Sequence, residues 1–243
     1  MSSDSLDIVI GAGSAIGRAL IERWSDECAR PLLAVARSAD SLAVIEQLGA
    51  QTHQCDYSEA SLAALAIQLQ EQSADISRLV ICNGVLQGEG YRPERALNQL
   101  KTSAMEQVFE INTFLPMRVL ASMAPVLKRC AAPRIAVLSA RVGSIGDNSL
   151  GGWYSYRAAK AAQNMLVRTA AIEFARRAPS AVVVGLHPGT VDSNLSAPFQ
   201  GGTSREKLFT PAQAAAHLLN VIENLSPADS GGCFAWDGAR LDA

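Results

Sequence analysis

An excess of charge of one sign is missing from this 243-residue chain: 21 Lys and Arg stand against 23 Asp and Glu, a formal net charge of −2. No basic excess is present to neutralise a phosphate backbone, which argues against nucleic-acid binding as the main role. Paired cysteines are also missing. Cys28, Cys55, Cys82, Cys130 and Cys233 are dispersed, with no Cys-x-x-Cys, which argues for reduced core thiols and against a disulfide framework or a zinc site. His53, His187 and His217 are far apart in sequence, so ligand spacing gives no reason to expect a metal. No apolar run is long enough to cross a bilayer, and the opening MSSDSLDIVIGAG lacks the basic start of a signal peptide. The expectation is a soluble, cytoplasmic protein with no membrane partner.

What the chain does have is apolar content: 49% hydrophobic against 18% charged residues, ample for a buried core. Short apolar runs alternate with stretches of helical period. Strands are expected at residues 7–10, 32–36, 51–55, 78–82, 134–139, 181–187 and 233–236. Helices are expected at 16–27, 41–48, 61–72, 103–129 (kinked at Pro116), 153–177 and 211–224. The strands read as continuously apolar, as required when helices cover both faces of a sheet. Alternating β and α units predict an α/β fold, a doubly wound parallel sheet of Rossmann type with helices on both faces. No linker or repeat divides the chain, so one domain is expected over 1–243. The loops 87–94, 143–152 and 193–208 follow strands four, five and six and would rim one crevice beyond the strand ends.

The first expected strand runs into Gly11, Ala12, Gly13, Ser14, Ala15, Ile16 and Gly17, and a helix follows. Glycines let the backbone approach a pyrophosphate, whose charge the helix N-terminus meets. Where an acid would grip the ribose of NAD, the second strand ends instead in Arg37-Ser38. A guanidinium there can fork onto a 2′-phosphate, which favours NADP(H) over NAD(H). Asp56 is placed to meet the adenine amino group or to cap the helix begun at Ser58. Tyr156 and Lys160 lie four apart on one helical face. A nearby ammonium favours phenolate, making the tyrosine able to give or take a proton at a carbonyl or alcohol oxygen. Trp153 and Tyr154 flank the expected cleft, and His187 closes the sixth strand.

These features, with Cys82-Asn83-Gly84, Asn112, Ser139 and Pro188-Gly189 in order along nearly the whole chain, resemble the short-chain dehydrogenase/reductase family. The stretches 139–148 and 151–157 are similar to its branch of C-factor signalling proteins and sniffer-like carbonyl reductases. The resemblance implies that Tyr156 is the proton donor, that Lys160 holds the nicotinamide ribose, and that Asn112 holds a relay water. It also implies that a serine orients the substrate and that the segment Pro188, Gly189, Thr190 and Val191 contacts the carboxamide. A homodimer or homotetramer burying the two long helices, with Leu115, Val119, Met123, Met165, Leu166 and Ile172 at hand, is implied as well. Three positions depart from the family pattern. Ala15 replaces a loop glycine, Cys82 an asparagine, and Ala140 the usual serine, which leaves Ser139 or Ser144 to orient the substrate. The expected activity is NADP(H)-dependent hydride transfer to or from a small carbonyl or alcohol. A dinucleotide-binding signalling protein with little turnover is the alternative, and a nucleotide-sugar epimerase a weaker third.

Overall fold

The apolar runs stack side by side because each needs cover on two faces. In the computed structural model, which describes residues 5–27, 30–202 and 208–242, they form one eight-stranded sheet. Cys28 lies outside the described residues. The strands are β1 (Leu6–Ile10), β2 (Leu32–Ala36), β3 (Gln51–Gln54), β4 (Ile76–Ile81), β5 (Arg134–Leu138), β6 (Val182–His187), β9 (Cys233–Ala235) and β10 (Arg240–Leu241), with β7 (Thr190–Val191) and β8 (Leu208–Phe209) forming a separate pair. Their order is β10-β9-β6-β5-β4-β1-β2-β3, parallel except for the antiparallel β10. The direction of winding reverses between β1 and β4, which opens a crevice at the carboxyl ends of those strands.

Side-chain alternation sends each strand's apolar residues into two cores. On one face Ile8, Ile10, Leu79 and Ile81 pack beneath α3 (Glu59–Glu71), α5 (Leu115–Leu127) and α6 (Tyr154–Arg177). On the other, Val9, Val80 and Val184 pack beneath α1 (Ala15–Glu27), α2 (Ala39–Glu46) and α7 (Pro211–Asn224). Polar residues set where these helices begin. Ser38 and Ser58 cap α2 and α3, each accepting a backbone N–H three residues on. Thr210 and Gln213 form a reciprocal capping box at α7, with Pro211 just inside.

Four sequence expectations are corrected. β3 reads Gln-Thr-His-Gln and is not apolar; as the edge strand it is half covered and tolerates polar side chains. The sheet is not wholly parallel, and the β7–β8 pair is too short to show any periodicity. The helix expected over 103–129 is α4 (Thr102–Phe109), a π-turn at Glu110–Phe114, and α5. The irregularity thus lies at the π-turn just ahead of Pro116, which lacks an N–H to continue the helical bonding. Finally, Leu115, Val119 and Met123 belong to the chain's own core, whereas Met165, Leu166 and Ile172 face outward.

One charged pair is buried within the sheet. Asp7 of β1 and Arg78 of β4 are register neighbours, and both are almost fully covered. Arg78 Nε donates to Asp7 Oδ1 at 3.0 Å, and its guanidinium lies 4.3 Å from the centre of the Trp24 ring.

Candidate active site

The glycine turn after β1 is built by close approach. Gly11 has φ +79°, and a Cβ on Gly17 would stand 2.5 Å from the Gly11 carbonyl oxygen. Ser14 fastens the turn, its Oγ donating to Gly11 O at 2.8 Å and accepting from Gly17 N at 3.1 Å. Ala15 is the first residue of α1, so helical dihedrals make the missing glycine unnecessary. Gly13 packs on Ser41, and Ile16 lies against the core of that face.

Across the crevice, Asn83 Oδ1 is buried without a hydrogen-bond partner, 3.0 Å from where a Gly11 Cβ would be. Gly84 follows, and a Cβ there would lie 3.4 Å from Asn112 Oδ1. Arg37 is exposed just past β2. Asp56 is exposed, and hydrogen bonds from Ser61 and Ser58 hold its carboxyl down to about 2. It is therefore an ionised acceptor, and it holds the backbone N–H of Ser58, the residue that caps α3.

Tyr156, in the first turn of α6, is buried and sets its ring edge-on to Trp153, 6.3 Å between centres. Trp153 in turn meets Phe199 at 5.2 Å. Leu86, Val142 and Leu195 complete an apolar wall around the phenol. Burial pushes the Tyr156 hydroxyl above its ordinary value. Lys160 is also buried, its Nζ 5.9 Å from the Tyr156 ring centre. That ammonium donates to Leu138 O and Gln163 Oε1, both at 2.8 Å, and burial pushes it down to about 7. The expected lowering of the Tyr156 pKa by Lys160 is thus outweighed here by desolvation of the phenol.

Ser139 does not join them. Its Oγ donates to Asn164 Oδ1 at 2.6 Å, deeper along α6, while Ala140 packs on the apolar wall beside Tyr156. Strand alternation turns neighbouring side chains to opposite faces, and the cleft-facing position belongs to the alanine. Ser144 accepts from Asp147 N at 3.2 Å and braces its loop. Asn112 sits in the π-turn with both amide N–H groups engaged: it donates to Val85 O (2.7 Å) and Val108 O (2.9 Å) and accepts from Val85 N (3.1 Å). It anchors the chain after Gly84 through these three bonds.

Pro188 and Gly189 leave β6 and lead into β7, where Val191 is buried and paired with Phe209. Gly189, at φ +77°, leaves room for Phe209 and Trp236, which a Cβ would meet at 2.6 and 3.1 Å. His187 precedes them, and burial and Arg141 push its imidazole down to about 4, so it stays neutral and is a poor base near neutrality.

Two anchors escaped the sequence reading. Buried Glu94 accepts from the backbone N–H and hydroxyl of Ser155, seating a carboxylate at the N-terminus of α6. Gln163 shares Leu138 O with Lys160. A lone acid in a loop and a glutamine inside a helix carry no local signal of such roles. Among the described residues, no group of three His, Cys, Asp or Glu is gathered as a metal site, and no helix is long and apolar enough to cross a membrane.

The profile described as short chain dehydrogenase matches residues 7–202. A 1-hydroxy-2-glutathionyl-2-methyl-3-butene dehydrogenase of Rhodococcus sp. (strain AD45) is 34% identical over 184 residues, covering 76% of either chain. The C-signal protein of Myxococcus xanthus is 34% identical over 146 residues, 60% of this chain and 82% of that one. The NADPH-bound carbonyl reductase from chicken fatty liver superposes with a TM-score of 0.85 at 22% identity, over 99% of this chain and all of that one (100%).

Proposed function

The chain belongs to the short chain dehydrogenase family of oxidoreductases, and from that premise we propose that it interconverts a small, largely apolar carbonyl compound and its alcohol with NADP(H). The observation carrying this reading is the buried pair Tyr156 and Lys160 on one face of α6, opening onto an apolar wall. The cofactor fits the residues present: a turn whose Gly11–Gly17 approach leaves no room for side chains, an unpartnered Asn83 Oδ1, and Arg37 with no carboxylate beside it in sequence. Gly11, Gly13, Ser14, Ala15, Ile16 and Gly17 would cradle its pyrophosphate at the N-terminus of α1. Arg37 would hold the 2′-phosphate, Asp56 and Asn83 the adenosine side, and Gly84, Pro188, Gly189 and Val191 the nicotinamide side. When bound, the cofactor supplies the hydride.

The chain's own residues handle the proton. In carbonyl reduction Tyr156 donates its hydroxyl proton to the substrate oxygen. Lys160, held near 7, exchanges protons readily at neutral pH, and it orients the ribose. Glu94 fixes the helix start that carries the phenol. Incubating the protein with NADPH and a panel of aldehydes, ketones and quinones tests the reading, with cofactor oxidation as the readout. Ala140 and the relation to C-signal favour the second reading, a dinucleotide-binding signalling protein. Tight NADPH binding with no turnover across the panel would bring it forward.

Arg37→Ala is expected to weaken NADPH binding about ten- to a hundredfold while sparing NADH, the loss of one charge-assisted contact. Calorimetric titration checks this, and equal affinity of the unmodified protein for both cofactors would contradict it. Self-association belongs to the same reading. Met165 and Ile172 of α6 and Phe114 of the π-turn are at least half exposed or nearly so (66%, 49% and 53%), an apolar face a second copy would cover. Light scattering should therefore exceed the 25.7 kDa of one chain at micromolar concentration.

A further inference from the structure

Tyr57 follows Asp56 beyond the end of β3 and takes φ +66°, a left-handed backbone that a bulky side chain rarely adopts. Strain of this kind persists only where the surroundings over-determine it, and it clusters at ligand clamps. The side chain is 3% exposed and runs beneath the glycine turn. Its hydroxyl accepts from Gly11 N at 3.2 Å and donates to Val35 O at 3.2 Å. Gly11 N also donates to Val35 O at 2.9 Å, so the turn, the end of β2 and the phenol share one node. The Asn83 side chain hydrogen-bonds the same phenol, while its own Oδ1 has no partner. On the solvent side the Arg37 guanidinium carbon lies 6.0 Å from the centre of the Tyr57 ring. One side chain therefore touches the pyrophosphate turn, the asparagine opposite it, and the arginine past β2.

We propose that Tyr57 is a positioning residue for the adenosine end of the dinucleotide, its hydroxyl setting the Gly11 turn and its ring setting Arg37 for a 2′-phosphate. A tyrosine serving only as core filler would need no hydroxyl, since Gly11 N keeps its bond to Val35 O without it. The two halves of the side chain thus act on different parts of the ligand. The hydroxyl serves NADPH and NADH alike, because both carry the pyrophosphate. The ring serves NADPH alone, because a guanidinium over an aromatic face loses its orientation when the ring is removed. The inference rests on the NADP(H) reading of the site.

The test compares the full chain with Tyr57→Phe and Tyr57→Leu. It uses calorimetric titration of NADPH and NADH, thermal melting without cofactor, and kcat at saturating NADPH. Tyr57→Phe should weaken both cofactors by a similar factor of about three- to tenfold with kcat at saturating NADPH nearly unchanged, while loss of the hydroxyl's bonds within the protein lowers the melting temperature by only about 2–6 °C. Tyr57→Leu should in addition lower the NADPH-to-NADH preference about two- to fivefold. Unchanged affinities in Tyr57→Phe would overturn the hydroxyl's role, and an unchanged preference in Tyr57→Leu would overturn the ring's. A fall in kcat together with a melting-temperature loss well beyond that range in Tyr57→Phe would make the residue merely structural and overturn both. If the unmodified protein bound neither cofactor, the underlying NADP(H) reading would fail instead. If it bound NADH as tightly as NADPH, the 2′-phosphate half would fail while the equal loss in Tyr57→Phe still decided the hydroxyl's role.

Discussion

Tyr156→Phe should lower kcat for carbonyl reduction at least a hundredfold and leave NADPH affinity within about twofold. A donor aimed at a developing alkoxide is commonly worth about 2.7–4 kcal/mol, which is a factor of a hundred to a thousand. Ser139, Ala140 and Asn112 cannot replace it. Ala140 occupies the cleft-facing position, Ser139 is turned to Asn164, and both Asn112 amide N–H groups are bound to backbone carbonyls. The ring itself is retained, so its edge-on contact with Trp153 and the packing of α6 survive. The pH profile carries the same mechanism. Burial raises the phenol's pKa, so Tyr156 enters the reaction protonated, as reduction requires. Lys160 is cationic below about 7 and neutral above it, so the fully protonated pair prevails below that value. Reduction should weaken as pH rises through this range. Steady-state kinetics on a turned-over substrate checks both effects, and full activity in Tyr156→Phe would remove the phenol from the mechanism.

The sheet was legible because its inner strands are mostly apolar, broken chiefly by the buried Asp7 and Arg78, and β2 and α7 fall at the residues their sequences mark. The glycine turn and the Tyr156/Lys160 spacing were legible for a similar reason: each depends on local backbone geometry. What was hidden depends on contacts across the fold. Alternation at the end of β5 decides that Ser139 faces Asn164 and Ala140 faces the cleft, and one residue of register reverses that outcome. The π-turn moves Asn112 into a buried position where its amide ties down Val85, which helical period alone does not reveal. Leu115, Val119 and Met123 look like interface residues in sequence, yet the π-turn sets α5 so that they enter the core. Glu94 and Tyr57 carry no local signature, since their partners Ser155 and Gly11 are distant in sequence.

Asp7→Ala should destabilise the protein by about 3–5 kcal/mol, because it strands a guanidinium within the sheet. Asp7 and Arg78 join β1 to β4 at the pair of strands flanking the crevice, with side-chain exposures of 2% and 5%. Arg30 also reaches Asp7, at 3.5 Å, so one carboxylate serves two cations. Two contacts remain for Arg78 after the substitution: Glu223 at 3.1 Å and the face of Trp24. Glu223 is 59% exposed, so water screens it and its hold on the arginine is weak. The ring's attraction is worth about 0.5–2 kcal/mol and does not replace a buried hydrogen-bonded carboxylate. At about 2–4 °C per kcal/mol for a chain of this size, the melting temperature should fall by roughly 6–20 °C. Removing both charges tests the cause. Asp7→Val with Arg78→Met takes away the stranded cation and keeps much of the apolar stem, so it should recover most of the loss seen with Asp7→Ala. Urea unfolding of the parent, Asp7→Ala, Asp7→Val, Arg78→Met and the double variant makes the comparison. A double variant as unstable as the sum of the single losses would mean that packing around Trp24, and not the unpaired charge, dominates this part of the sheet.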